Sequence, residues 1–184
     1  MEYYTLDICG LKRDLPLIQV GRKTRLAQLS ILGDVELVDC LTDKFAEKLK
    51  NIDVDYLVGP EVKVVPLLHE VAKRLGHQRY IVCRKKVKPY MVAPVILEPL
   101  PYFPKHVKQL VLNGSDAQLL KGRKVVVIDD VISTGVTMRM MLKLMEKVGA
   151  KVVKILTVVK QGEPFDKFDN WDYDVVMPII KDEN

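Results

Sequence analysis

The chain has 184 residues, 48% of them hydrophobic and 29% charged, which is enough apolar material for a core and excludes disordered, collagen-like, mucin-like and coiled-coil readings. The three cysteines, Cys9, Cys40 and Cys83, are odd in number and widely spaced, so neither a disulfide framework nor a zinc knuckle is written here and a cytoplasmic location is expected. The net charge of +5 conceals −5 on residues 161–184 and +10 on residues 1–160, so the main body should attract anions. Aromatics at 7% do not interleave with the basic residues, which makes nucleic acid a poorer partner than a small polyphosphate, and no apolar run is long enough for a membrane span.

Along the chain, residues 1–34 have weak periodicity and should form a cap over a sheet rather than part of it. Arg22, Lys23 and Arg25, read as the start of a helix, leave a DNA-binding arm as the alternative. A helix is predicted over about 40–50, a strand over 55–59, a helix over about 64–75 ending before Gly76, and a strand near 80–84. Residues 87–106 hold five prolines and no period, which predicts a long mobile loop. A strand over 124–129 precedes a helix over 137–148 with Met138, Met141, Leu142, Met145 and Val148 on one face, the methionines reading as core filler. Val152–Val159 and Val175–Ile180 read as the last strands. Short β-branched runs alternating with helical segments predict a single-domain α/β fold, a mainly parallel twisted sheet flanked by helices.

The stretch Val125–Thr137 carries the chemistry. A buried strand ends in Asp129 and Asp130, a short loop of Ser133, Thr134, Gly135 and Val136 follows, and a helix begins near Thr137. Backbone N–H groups, three hydroxyls and the positive end of the helix can converge on one phosphate, and Gly135 allows a positive φ or close approach. Because the loop lies at the surface, substitution of Gly135 should cost binding more than stability. Two adjacent carboxylates suit vicinal sugar hydroxyls and the waters of a bound Mg²⁺. Upstream, Gly59 ends a strand, and the amides of Glu61, Val62 and Lys63 with the Lys63 ammonium can receive a diphosphate. Arg84, Lys85, Lys86 and Lys88 form a basic lead into the Pro-rich loop, as a lid over departing pyrophosphate would need. His69, His77 and His106 lack metal-ligand spacing, and neither a P-loop nor a dinucleotide-binding fingerprint occurs.

These residues resemble the type I phosphoribosyltransferases. Val125–Val136 is similar to their 5-phosphoribosyl-1-pyrophosphate (PRPP) motif of apolar strand, acidic pair and Thr-Gly loop. Tyr56–Leu67 and Arg84–Lys88 resemble the pyrophosphate loop and catalytic-loop start of the adenine and xanthine branch, so the likeness spans about 55–160. Val136, Lys63 and Val64 depart from the usual Gly, Arg and Gly. The resemblance implies a small N-terminal hood over 1–34, a catalytic loop over 87–106, Mg²⁺ carried with PRPP, and a homodimer. It also implies transfer of phosphoribose to a free purine, adenine first, with 6-oxopurines or a non-catalytic PRPP sensor as alternatives. In that reading Asp129 and Asp130 hold the ribose, Ser133–Thr137 the 5′-phosphate, and Lys63, Arg84, Lys85 and Lys88 meet pyrophosphate. Val131 lies against the base beneath Leu11, Leu15 or Leu17, and Glu98 handles a proton at the base or is simply an exposed loop carboxylate.

Overall fold

The computed structural model describes residues 2–105, 107–164 and 167–181, so His106 lies outside the described residues. Three antiparallel strands come first, β1 (Tyr3–Ile8), β2 (Leu11–Gly21) and β3 (Thr24–Ala27), then α1 (Val35–Leu49), β4 (Tyr56–Pro60), α2 (Val65–Arg74) and β5 (Ile81–Cys83). An antiparallel pair, β6 (Val95–Leu97) and β7 (Leu110–Leu112), is followed by α3 (Gly114–Leu120), β8 (Lys124–Ile132), α4 (Val136–Lys147), β9 (Lys151–Gln161), β10 (Trp171–Met177) and β11 (Ile179–Lys181).

The central sheet has the order β10-β9-β8-β4-β5 and every pairing in it is parallel. Both faces are covered, which is why β8 reads as an unbroken aliphatic run rather than an alternation. Val126 and Ile128 face a core shared with α1, α2 and residues of β1–β3; Val125 and Val127 face the core under α4. The methionines of α4 are core filler: Met138, Met140, Met141 and Met145 are all buried, while Leu142 and Val148 pack at the margin. Among the described residues no helix is long and apolar enough to cross a membrane.

Three sequence expectations need correction. Arg22 and Lys23 sit in the turn between β2 and β3, not in a helix, because the alternation that follows Leu11 continues an antiparallel sheet. The strand expected over 175–180 is two strands. Pro178 has no N–H to continue the ladder, so β10 ends at Met177 and β11 leaves the parallel sheet to pair antiparallel with β3. The Pro-rich segment is not loop throughout, since Val95, Ile96 and Leu97 pair with β7 and lie partly buried against α4.

Helix α1 begins five residues before the predicted start. The Asp34 carboxylate caps it, accepting from the Leu37 N–H at 3.1 Å, and is itself held by Arg13 of β2 at 2.7 Å. Arg13 first, and the capped amide after it, hold the Asp34 carboxyl below its usual range. The first turn, with exposed Val35 and Glu36, shows no apolar period, so only the cap marks its start.

Gly59 sets how closely β4 approaches β8. A Cβ there would lie 2.6 Å from Leu68 Cδ1 and 2.7 Å from the Ile128 carbonyl oxygen, one residue before Asp129. Gly59→Ala should therefore lower stability by about 1–3 kcal/mol through overpacking, read as a shift in the chemical-denaturation midpoint; an unchanged midpoint would show that β4 and β8 can separate freely here.

Candidate active site

Asp129 and Asp130 stand at the carboxyl end of β8, the central strand of the parallel sheet. Asp129 is 5% exposed and pairs across to Thr157 of β9. Its Oδ1 accepts the Asp130 N–H at 2.9 Å. Burial, and then the neighbouring Asp130 charge, push the Asp129 carboxyl well above the ordinary range, with the Lys85 ammonium opposing. Asp130 Oδ2 is buried and accepts no hydrogen bond among the described residues; Lys63 Nζ faces it at 3.6 Å, an ion pair beyond hydrogen-bond reach. An orphaned buried acceptor beside a cation is what a site for a polyol leaves open when nothing is bound. Val131, next on the strand, borders the core shared with β1–β3, as do Leu11 and Leu17, whereas Leu15 is buried inside it.

After β8 the chain turns through Ser133 and Thr134 into α4. Gly135 is the N-cap with φ +83°, the positive φ foreseen from the sequence, and the Val136 N–H reaches Thr134 Oγ1 at 3.4 Å. Thr134 and Thr137 are exposed and Ser133 and Val136 half-buried, so hydroxyls and free helix amides share one mouth. The surface-loop expectation for Gly135 fails. The residue is buried under Phe168 and Pro164, and a Cβ would meet the Phe168 ring at 3.0 Å and Pro164 Cβ at 3.3 Å.

The second loop is braced rather than open. The Glu61–Val62 peptide is cis. Glu61 accepts the Lys85 N–H at 2.7 Å and lies 2.7 Å from Arg84 Nε, close enough for an ion pair but not aligned as a hydrogen bond. Its own N–H donates to the Cys83 carbonyl at 2.9 Å, so the Glu61 amide expected for a diphosphate is already spent in the β4–β5 ladder. Val62 is exposed, and Lys63 Nζ donates to the Leu29 carbonyl at 3.0 Å, spanning from the acidic pair to the segment after β3. Lys88 is half-buried, its N–H directed at Met91 Sδ at 3.5 Å. Glu98 is exposed just after β6, and no hydrogen bond or ion pair among the described residues joins it to the acidic pair.

A hollow of about 830 Å³ between the starts of α1 and α2 is lined by Val35, Val65 and Pro66 with Asp34, Glu36, Asp39 and Glu70. Four carboxylates repel a phosphate. A cavity of about 290 Å³ instead lies beside the Thr134–Thr137 turn and adds Lys85 and Lys108 to Thr134, Val136 and Thr137. The Leu29 carbonyl, Phe168 and Lys108 were not foreseen: no motif marks them, and only tertiary contact brings them here. Among the described residues no three His, Cys, Asp or Glu side chains converge as a metal cage.

A family model, the phosphoribosyl transferase domain, matches residues 33–184. The chain belongs to that family. The match reaches beyond the motif-bearing 55–160 to include α1 and the strands after β9. The chain is 31% identical over 153 residues to the adenine phosphoribosyltransferase of Clostridium botulinum, covering 78% of this chain and 81% of that one. It is 30% identical over 151 residues to the hypoxanthine/guanine phosphoribosyltransferase of Methanocella paludicola, covering 81% and 72%. In fold it is similar to a crystal structure of adenine phosphoribosyltransferase from Thermoanaerobacter pseudethanolicus, with a TM-score of 0.69 at 21% identity over 89% of this chain and 94% of that one.

Two outcomes follow from the geometry. Gly135→Val places a β-branched residue at positive φ and drives it into Phe168, so it should lower stability by at least about 2 kcal/mol, measurable as a fall in Tm. Asp129 keeps its proton in the folded state at pH values where the unfolded chain, near pKa 3.9, has lost it, so this carboxyl costs stability progressively as pH rises above 4. Asp129→Asn should therefore raise the Tm of the ligand-free protein at pH 7 by about 2–4 °C, roughly 1 kcal/mol for a chain of this size, with the gain vanishing below pH 4. A gain independent of pH would mean that burial of the charge is not its origin.

Proposed function

We propose that the protein is a purine phosphoribosyltransferase that joins a free base, adenine first, to PRPP and releases pyrophosphate and a nucleoside 5′-monophosphate. The observation that carries the reading is the Asp129–Asp130 pair, the first buried and the second half-buried, running directly into the Thr134–Gly135–Val136–Thr137 helix start, in a chain of the phosphoribosyl transferase family. The names of the relatives at 30–31% identity favour a purine, and adenine over hypoxanthine or guanine. The hypoxanthine/guanine relative makes the 6-oxopurines the second reading.

In this mechanism the residues position and stabilise; none forms a covalent bond. The ribose diol donates to the orphaned Asp130 Oδ2 and to the Asp129 carboxyl. Ser133–Thr137 receive the 5′-phosphate through hydroxyls, amides and the helix N-terminus. Lys63 exchanges the Leu29 carbonyl for pyrophosphate oxygens, joined by Arg84, while Lys88 at the head of the segment over 87–106 closes on them as charge builds on the leaving group. Asp129 and Asp130 would hold a Mg²⁺ ion brought with PRPP, and such an ion would neutralise that charge. The base lies on Val131 under Leu11 and Leu17, with Glu98 a proton carrier if the segment folds inward. A cytoplasmic homodimer is part of the same proposal.

The test is pyrophosphate release from PRPP and Mg²⁺ with adenine, hypoxanthine, guanine, xanthine, uracil and orotate offered separately. Saturable turnover on adenine is expected; tight PRPP binding with no turnover on any base would make the protein a sensor instead. Asp130→Asn should weaken PRPP binding by about 1.5–3 kcal/mol, the worth of hydrogen bonds to a charged acceptor, and calorimetry reads it. Lys88→Ala should lower kcat more than affinity for the nucleotide product, and equal losses in both would remove it from the closing step.

A further inference from the structure

The two chain segments that flank the Pro-rich stretch leave the body side by side. Arg84 and Val111 exchange both backbone hydrogen bonds at 2.8 Å, tying the end of β5 to β7. Lys85 is the next residue outward on one side, and Lys108 stands two residues before β7 on the other, just after a turn closed by the Val107 N–H on the Pro104 carbonyl at 2.9 Å. Both lysines line the cavity of about 290 Å³ opposite Thr134 and Thr137. Leu110 and Met140 in its wall are buried, so that side is fixed by the core, while exposed Pro104 and half-buried Val107 complete the wall from the Pro-rich side. No acidic side chain lines this cavity, and no carboxylate among the described residues pairs with either ammonium. Two like charges held on one small cavity are repulsive unless an anion lies between them.

We propose that Lys108 is a phosphate-binding residue of this site, and that Lys85 and Lys108 together clasp the phosphate monoester of a ribose seated on Thr134–Thr137. The proposal rests on the phosphoribosyl-transfer reading for the identity of the ligand, adds to it a residue outside the PRPP motif, and gives Lys85, expected from the sequence at pyrophosphate, to the monoester instead. Because the two lysines bracket residues 86–107, the anion draws both ends of that stretch onto the cradle. Phosphate alone, with neither base nor pyrophosphate, then protects the stretch. An interaction made equally in ground and transition states lowers KM and leaves kcat alone.

The experiment measures calorimetric affinity for ribose 5-phosphate and for inorganic phosphate, hydrogen exchange across residues 86–107, and PRPP kinetics. It compares the natural protein with Lys108→Gln, Lys108→Arg and Lys105→Gln. Lys105 is exposed, carries the same charge and does not line the cavity. Lys108→Gln should weaken ribose 5-phosphate binding about fivefold to thirtyfold, abolish the phosphate-induced protection and raise KM for PRPP with kcat nearly constant. Lys108→Arg should restore most of the affinity, and Lys105→Gln should change it less than twofold. Equal losses in Lys105→Gln and Lys108→Gln would reduce the effect to diffuse charge and overturn the clasp, as would undiminished binding in Lys108→Gln or no binding to the natural protein. If the natural protein binds ribose 5-phosphate through Lys108 but turns over no base, the transfer reading falls and the clasp stands.

Discussion

A buried carboxylate with a second beside it at the end of the central strand is the constraint around which this molecule is arranged. Asp129 is buried whole and Asp130 has one oxygen shut away from water, and like charges so close cannot both ionise cheaply. The protein meets the difficulty in three ways: a proton retained on Asp129, an amide turned onto its Oδ1, and the Lys63 ammonium near Asp130. Lys63 can stand there only because β4 runs hard against β8, which the absence of a side chain at Gly59 permits. Its bond to the Leu29 carbonyl carries the same contact into the segment that follows β3. Binding energy that a bound diol supplies is thus partly the release of a cost already built in.

Charge is sorted across the molecule in a way that net composition hides. Among the described residues of the acidic stretch over 161–184, two aspartates are built into the sheet and its ion pairs. Asp172 and Asp174 of β10 are paired with Lys48 and Lys44 of α1, and Lys154 of β9 lies near Asp172. Those pairs neutralise the flank of α1, while Lys85 and Lys108 keep their charge at the mouth of β8. The field that would draw a polyphosphate is therefore concentrated at one end of the sheet.

Much of this was legible in the residues. The strand over 124–129, its acidic pair, the glycine at positive φ and α4 follow from local chemistry, since each depends on neighbours within a few positions. The parallel sheet was legible because both faces are covered and its strands read as continuous aliphatic runs. What escaped depends on long-range contact. The three strands of residues 3–27 alternate too weakly to register, because only Leu15 of β2 is buried and most of that strand is exposed. Glu61 looked like a ligand and is a brace, a distinction made only by the position of Arg84 and of the Lys85 amide. Phe168 over Gly135 and Lys108 beside Thr137 come from segments whose spacing carries no signal.

The departure of β11 from the parallel sheet has a consequence for synthesis. The N-terminal sheet has the order β1-β2-β3-β11, so its third strand lacks a partner on one side until residues 179–181 have been made. On a ribosome the first strands emerge well before β11, so the outer hydrogen-bonding edge of β3 stays open while all the elements between them are made. An open strand edge is a template for other chains. The brevity of β3, at four residues with Arg25 within it, limits that hazard, and closure of the sheet waits on a contact between segments far apart in the sequence.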